Sequence, residues 1–291
     1  MRVNAYILAA DPTWLEHSVR AYYPWVEKIV VSYDRTFRGW TGARIPVAEC
    51  LDRLRRLDSS GKMVFIPGDF SADVADPMEN DTLQRSSALR SASENADWVL
   101  QLDTDEWIPD ARELFRVLEQ EADTDCMGVE WPMRVLYRGL RGSHALEVCA
   151  PGGGDHFEYI APVAVRSGAT LIQSRRVSGK FLRALVRGDR VSLQVRRPAA
   201  AEEDRRECLE ASAAIVHNSW ARPPRLLRGK LASWSHACAR VWWYYAATWL
   251  PAPWRWRRMR NFHPLFGEVW PALRVAEMPF PVVEFGREVR R

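Results

Sequence analysis

The stretch Asp97-Trp-Val-Leu-Gln-Leu-Asp-Thr-Asp-Glu106 decides how this chain folds. Trp98 to Leu102 is an apolar run of strand length, and it ends abruptly on carboxylates. If extended geometry persists into the turn, Asp103 and Asp105 point to the same side, because side chains two apart on a strand share a face. Two hard oxygen ligands on one side suit a Mg²⁺ or Mn²⁺ ion that keeps its other positions for a diphosphate. Such an ion would neutralise the charge that grows on a departing nucleoside diphosphate. As letters alone, Asp-x-Asp is common and reads first as a solvated loop with a helix cap. Its position at a strand end carries the weight.

Working outward toward the N-terminus, Asp81 to Asn95 reads as a helix, Lys62 to Pro67 as a short strand and Ile45 to Leu57 as an amphipathic helix. Lys28 to Asp34 is a β-branched strand that also stops at a carboxylate. Before it, Thr13 caps a helix carrying Trp14, Leu15, Ser18, Val19 and Tyr22, and Val3 to Ala10 is a buried strand closed by Asp11-Pro12. Strand, helix and strand within residues 3–34 form a βαβ unit, hence a parallel sheet. The repetition predicts an open α/β sheet whose ligands gather at the carboxyl ends of the strands, where Asp11, Asp34 and Asp103 fall.

Toward the C-terminus the pattern weakens. Met127 to Val129 and Pro162 to Val165 read as short strands, broken by Gly152-Gly153-Gly154 and Gly168, in a region of mixed antiparallel pairing. Pro198 to Glu210, rich in Ala and Glu, reads as a linker leading into a helix, and no internal repeat is found. Eight of the 14 Trp lie between Trp220 and Trp270, beside Arg255, Arg257, Arg258 and Arg260, so the composition divides the chain at about residue 220. The expectation is a catalytic domain over 1–220 and a helical, Trp- and Arg-rich extension over 221–291.

Composition narrows the function classes. With 47% hydrophobic and 27% charged residues the chain can bury a full core. A net charge of +4, spread along 291 residues, offers no nucleic-acid footprint. Five cysteines without a CxxC pair argue against a disulfide framework or a structural zinc site, and point to a reducing compartment. The apolar stretch Ala5 to Ala10 is too short for a signal sequence, and Val241 to Leu250 falls short of the ~20 residues that span a bilayer. A cytoplasmic location is expected, peripheral to the inner face of the membrane if the tail touches it.

Together with the upstream helix residues Arg85-Ser-Ser-Ala-Leu89 and Ala92, the stretch 97–106 resembles the heart of the family 2 type glycosyltransferases of the GT-A fold. There an Arg-x-x-Ala-Leu helix precedes a Trp-led strand ending in Asp-x-Asp-Glu. The resemblance covers roughly residues 3 to 220 and is sharpest from about 85 to 110. It implies a Rossmann-like mixed sheet flanked by helices that binds a nucleoside diphosphate sugar, with a family-wide lean to uridine. It also implies that Ala9, Asp11 and Asp34 meet base and ribose, that Asp103 contacts ribose or metal, and that Asp105 is the principal metal ligand. Ile215-Val-His217-Asn-Ser-Trp220 is similar to the late segment whose His adds a ligand to the ion, and Glu106 would support the loop. Members often place a base as Glu-Asp after the triplet. This sequence has none there, so Asp155 and Glu158, behind the Gly-rich turn, are the substitute candidates.

Several residues carry two readings. Arg85 suits phosphate or ribose oxygens through its planar fork, or a solvated helix face. Lys180, and Arg222 or Lys230, are candidates for diphosphate contacts against a reading as ordinary surface charges. His236 reads as structural, on a predicted helix. Trp234, Cys238, Val241, Tyr245 and Trp249 form a helical stripe that reads as core. Trp254-Arg-Trp-Arg-Arg258 also suits acceptor sugar stacking or a membrane interface. The leading function is metal-dependent transfer of a sugar to a glycan or small-molecule hydroxyl or amine. Nucleotidyl transfer competes, although Ala9-Ala10-Asp11-Pro12 is not the Gly-rich phosphate loop such enzymes carry. A non-catalytic glycan-binding module is the third reading.

Overall fold

The computed structural model describes residues 1–71, 76–236 and 238–283. Its first part alternates strand and helix as the sequence predicts: β1 (Val3–Leu8), α1 (Leu15–Tyr22), β2 (Ile29–Asp34), α2 (Val47–Leu57), β3 (Met63–Gly68), α3 (Pro77–Ala92) and β4 (Trp98–Leu100). There follow β5 (Glu106–Trp107), α4 (Ala111–Gln120), β6 (Gly128–Glu130), β7 (Met133–Gly139), β8 (His144–Cys149), β9 (Pro162–Arg166), β10 (Leu171–Gln173) and β11 (Arg176–Val177). The remainder comprises β12 (Phe181–Val186), α5 (Leu193–Arg196), β13 (Glu203–Leu209), β14 (Ile215–His217), α6 (Pro224–Ser233), α7 (Ala239–Tyr244), α8 (Ala252–Arg255) and β15 (Ala272–Glu277).

Eight strands form the main sheet in the order β13-β12-β6-β9-β4-β1-β2-β3. Only β9 runs against its neighbours β4 and β6, and the other pairings are parallel. This is the expected α/β class, a mixed sheet flanked by helices. Every residue of β1 is buried, which follows from a strand covered on both faces; its one polar side chain, Asn4, is satisfied by the Ala92 carbonyl at 2.8 Å and the Lys28 N–H at 3.1 Å. Helix α2 buries Val47, Cys50, Leu51, Leu54 and Leu57, one stripe at helical spacing, toward the core cluster shared with Ile29 and Val31. Helix α3 begins where the Asp76 carboxylate accepts from the Met78 N–H at 2.7 Å, with Pro77 in the first turn.

A second sheet, β15-β8-β7-β14-β5, stands beside the first and carries the aromatic C-terminal region. Tyr137, Val148, Trp220, Val241, Tyr245, Trp249 and Trp270 share one buried cluster there. Val241, Tyr245 and Trp249 therefore face inward, as their spacing predicts, but the stripe does not reach further back: Trp234 is only partly buried against the cluster and Cys238 is exposed, because α7 begins only at Ala239.

Four local readings are corrected. Thr13 does not cap α1: its hydroxyl donates to Asp11 Oδ1 at 2.6 Å, an Asx-type turn that competes with the cap. Residues 203–209 are an edge strand rather than a linker, paired in parallel with β12. Its alternating Glu and Arg residues form ion pairs at the sheet edge, so it carries no hydrophobic periodicity. The segment expected to be a helical extension also supplies β15, which pairs antiparallel with β8 from Ala272 opposite Cys149 to Glu277 opposite His144. His236 lies in a turn between α6 and α7.

Candidate active site

From β1 the chain proceeds outward to β2 and β3, then returns to place β4 on the other side of β1. Such a reversal leaves a crevice above the carboxyl ends of the two central strands. Asp11 follows β1 and the Asp103-Thr104-Asp105 triplet follows β4, so both reach that crevice. The triplet is pinned from three directions. Ser18 of α1 donates to the Asp103 carbonyl at 3.1 Å, and Glu106 Oε2 accepts from the Asp103 N–H at 3.0 Å. Strand β5 pairs antiparallel with β14, which sets His217 opposite Glu106.

The two carboxylates of the triplet have different partners. Asp103 Oδ1 accepts from Arg85 Nη2 at 2.9 Å, and Arg175 Nη1 stands 3.9 Å from Oδ2. Desolvation in the crevice works against ionisation of Asp103, but the charges of Arg85 and Arg175 outweigh it and hold the carboxyl well below the usual carboxylate range. Arg85 is in turn gripped by Asp81 at 2.6 Å, one helical turn earlier on α3. Asp105, buried, accepts on Oδ2 from Arg222 Nη2 at 2.5 Å and from Lys230 Nζ at 2.7 Å. Arg222 also pairs with Asp11 Oδ2 and so ties the β1 turn to the triplet. Burial pushes the Arg222 guanidinium down to about 9, still charged at neutral pH. Burial and the charge of Arg222 lower Lys230 too, against the pull of Asp105.

Glu106 is wholly buried and bound through both oxygens by Arg175, at 2.7 Å each. Arg175 sits between β10 and β11, and its other donor contact is the Gln101 carbonyl at 3.1 Å. Neither Arg175 nor Asp81 was singled out by the sequence, since no motif surrounds them and their partners lie on other elements or on a helix face read as solvated. Across this network five carboxylates (Asp11, Asp81, Asp103, Asp105, Glu106) meet four cations (Arg85, Arg175, Arg222, Lys230). One negative charge is in excess. That balance opposes entry of a diphosphate, and a divalent cation reverses it.

Among the described residues no three His, Cys, Asp or Glu side chains converge as a metal cage. Of the three expected ligands, Asp103 has its Oδ1 on Arg85, while its Oδ2 has no contact closer than Arg175 at 3.9 Å. His217 Nε2 faces Asp105 Oδ2 at 3.8 Å, the one pair of donors in the crevice that could share an ion, although that oxygen also accepts from Arg222 and Lys230; the orphaned nitrogen of the ring, the buried Nδ1, is the other one. Ions bound along with a substrate diphosphate need only one or two protein ligands, the phosphates and water supplying the rest.

The other expected residues are scattered. Ala9 stands at the end of β1, its N–H on the Ser32 carbonyl at 3.0 Å. Asp34 is buried, with Oδ1 taken by the N–H and hydroxyl of Thr36 and Oδ2 by the Phe70 N–H at 2.9 Å. It organises the turn after β2. Lys180 is not brought to the site: it pairs with Asp125 just before β12 and β6 begin, at the amino-terminal edge of strands parallel to β4, opposite the crevice. Asp155 is exposed and bound by Arg274 at 2.8 Å. Glu158 is buried beside Met133, accepting from the indole N–H of Trp270. Burial raises its carboxyl to about 7, only partly offset by that hydrogen bond.

No family model and no curated protein matches this sequence. Solved structures similar to the chain include a mannosyltransferase from Pyrobaculum calidifontis in complex with GDP-Man and Mn²⁺, at 14% identity and a TM-score of 0.34, covering 45% of this chain and 35% of that one. The chain thus spans about a third of that protein's length. Another is a 4-diphosphocytidyl-2C-methyl-D-erythritol synthase from Anaerococcus prevotii, at 10% identity and a TM-score of 0.33, covering 57% and 70%. A CMP:2-keto-3-deoxy-manno-octonic acid synthetase complexed with CTP is similar at 12% identity and a TM-score of 0.34, covering 58% and 75%.

Proposed function

We propose that the chain is a glycosyltransferase that moves a sugar from a nucleoside diphosphate sugar, UDP-linked by preference, to an acceptor hydroxyl or amine. One observation carries this reading: Asp11, Asp103, Asp105 and His217 meet Arg85, Arg222 and Lys230 above the carboxyl ends of β1 and β4.

Asp105 and His217 would hold Mn²⁺ or Mg²⁺, which when bound supplies positive charge to the leaving diphosphate. Lys230 Nζ donates to Asp105 Oδ2 and to the Ser219 carbonyl, which leaves it a third donor for a phosphate oxygen, while the buried Arg222, taken by Asp11, Asp105 and the Asn218 carbonyl, holds the two carboxylates in place. Asp103, fixed by Arg85, accepts from the ribose hydroxyls. Glu158 is preferred to Asp155 as the base, since a carboxyl near 7 takes a proton at neutral pH without being permanently ionised. The acceptor oxygen forms its bond to the anomeric carbon, its proton passes to Glu158, and the bond between that carbon and the diphosphate breaks with its electrons on the diphosphate.

The test is a thermal-shift panel of nucleoside diphosphates with Mn²⁺ and with chelator. At roughly a hundredfold excess over Kd a bound nucleotide adds about 2.7 kcal/mol of stability. UDP with Mn²⁺ should raise the melting temperature of the wild type and leave Asp105→Ala unmoved, and that variant should lose sugar transfer. Equal stabilisation of both proteins overturns the reading, and release of pyrophosphate from a nucleoside triphosphate would replace it with nucleotidyl transfer.

A further inference from the structure

Between Glu210 and Glu268 the sequence contains no acidic residue and nine basic ones. Two of the nine, Arg222 and Lys230, serve the crevice. The other seven, Arg225, Arg228, Arg240, Arg255, Arg257, Arg258 and Arg260, are exposed, and among the described residues none pairs with a carboxylate. Arginines elsewhere on the surface, such as Arg187 with Glu210 and Arg190 with Glu207, do pair. Other exposed arginines, such as Arg20, Arg56, Arg90 and Arg141, stand without a carboxylate partner among the described residues as well, but only this segment joins a run of unpaired arginines to a stretch with no acidic residue.

That segment also contains a helical run, from α7 through a wide turn at Tyr245–Trp249 to α8. In the wide turn the Leu250 N–H bonds to the Tyr245 carbonyl, five residues back, at 3.0 Å, and Pro251, which has no N–H to continue the ladder, follows it. Val241, Tyr244, Tyr245, Trp249 and Ala252 face the core. The opposite face presents Trp242, Trp243, Ala246, Ala247, Leu250 and Trp254. Trp243 is 69% exposed and Trp254 is 83% exposed, and Phe266 nearby in sequence is 66% exposed. No charged residue occurs from Val241 to Trp254, so the helix is apolar on its outer face as well as its inner one. A surface helix in water carries polar residues outward. Arginines bracket the run at Arg240 and at Arg255 to Arg260.

We propose that this face docks on an anionic lipid bilayer, with the helix lying in the interfacial plane. Trp rings and Leu250 enter the boundary between headgroups and acyl chains, while the flanking guanidiniums stay at headgroup depth against lipid phosphates. No described helix is long and apolar enough to cross a membrane, and the contact proposed is interfacial. This docking stands apart from the chemistry proposed for the crevice.

Flotation of the purified full chain with phosphatidylcholine vesicles, with or without phosphatidylglycerol, tests it, read alongside the Trp emission maximum. Binding should require the anionic lipid, weaken with salt and shift the emission to the blue. Each arginine near the surface contributes about fivefold in partitioning, so Arg255→Gln with Arg257→Gln and Arg258→Gln should lower it by about a hundredfold. Trp243→Ser with Trp254→Ser should abolish the blue shift and lower binding by at least about tenfold, with an unchanged melting temperature since both rings are exposed. Equal binding to uncharged vesicles overturns the proposal. So does an absence of vesicle binding, whether the chain then self-associates through this face in sedimentation or retains only an affinity for polyanions such as heparin.

Discussion

Burial of Glu158 sets up a pH dependence whose sign separates two roles. Its carboxyl is raised from 4.5 to about 7 in the folded chain, so folding favours the protonated form. The stabilisation this gives is complete below about pH 4.5 and is lost as pH rises through about 7, a difference of about 3 kcal/mol. Glu158→Gln keeps an acceptor for the Trp270 indole and cannot ionise. It should therefore be more stable than the wild type at pH 8, by up to that amount, and indistinguishable at pH 4, as read by denaturant titration. If Glu158 is the base, the same variant loses about 10²- to 10⁴-fold in turnover. A stability gain with full activity would reduce Glu158 to a structural carboxyl and leave Asp155 as the candidate base.

At the scale of elements, the β10–β11 hairpin matters because it delivers Arg175 to a carboxylate that has no water to fall back on. Glu106 is fully buried with both oxygens on that guanidinium. Arg175→Ala should cost about 3 to 5 kcal/mol, the usual consequence of leaving one member of a buried ion pair unpaired. Adding Glu106→Gln should recover part of that stability, because the orphaned charge disappears. Nucleotide binding should stay impaired in both variants, since Glu106 also accepts from the Asp103 N–H and fixes the loop. Urea melts of the single and double variants, with nucleotide titrations at each, decide whether the coupling is energetic or only geometric.

Over the whole molecule, the C-terminal segment closes the second sheet and returns to the first helix. β15 covers the edge of β8, and Phe280 stacks on His17 at 4.0 Å and meets the Trp14 and Trp107 rings edge-on at 5.0 and 5.1 Å. Since β8, β7, β14 and β5 follow in order, the pairing that holds His217 beside Glu106 depends on a sheet whose far edge is β15. A chain ending at Pro271 should lose cooperative melting and aggregate through the bared edge of β8. A sharp two-state melt of that truncation would mean that the crevice folds without the second sheet's outer strand.

The sequence by itself determined the strand and helix alternation up to Leu100, the core stripes of α2 and of Val241 to Trp249, and the position of Asp103 and Asp105 at a strand end. Those are local properties: periodicity, chain-breaking residues and the abrupt change from apolar to charged. Edge strand β13 escaped because its residues pair by charge rather than by alternating burial. Only the tertiary structure decided which cations serve which carboxylates. Arg222 and Asp105 are 117 positions apart, Arg175 and Glu106 are 69 apart, and Lys180 is carried to the far edge of the sheet. Such pairings follow from the order of strands across the switch between β1 and β4, and strand order is set by how all the apolar faces are covered at once, which no local stretch of residues specifies.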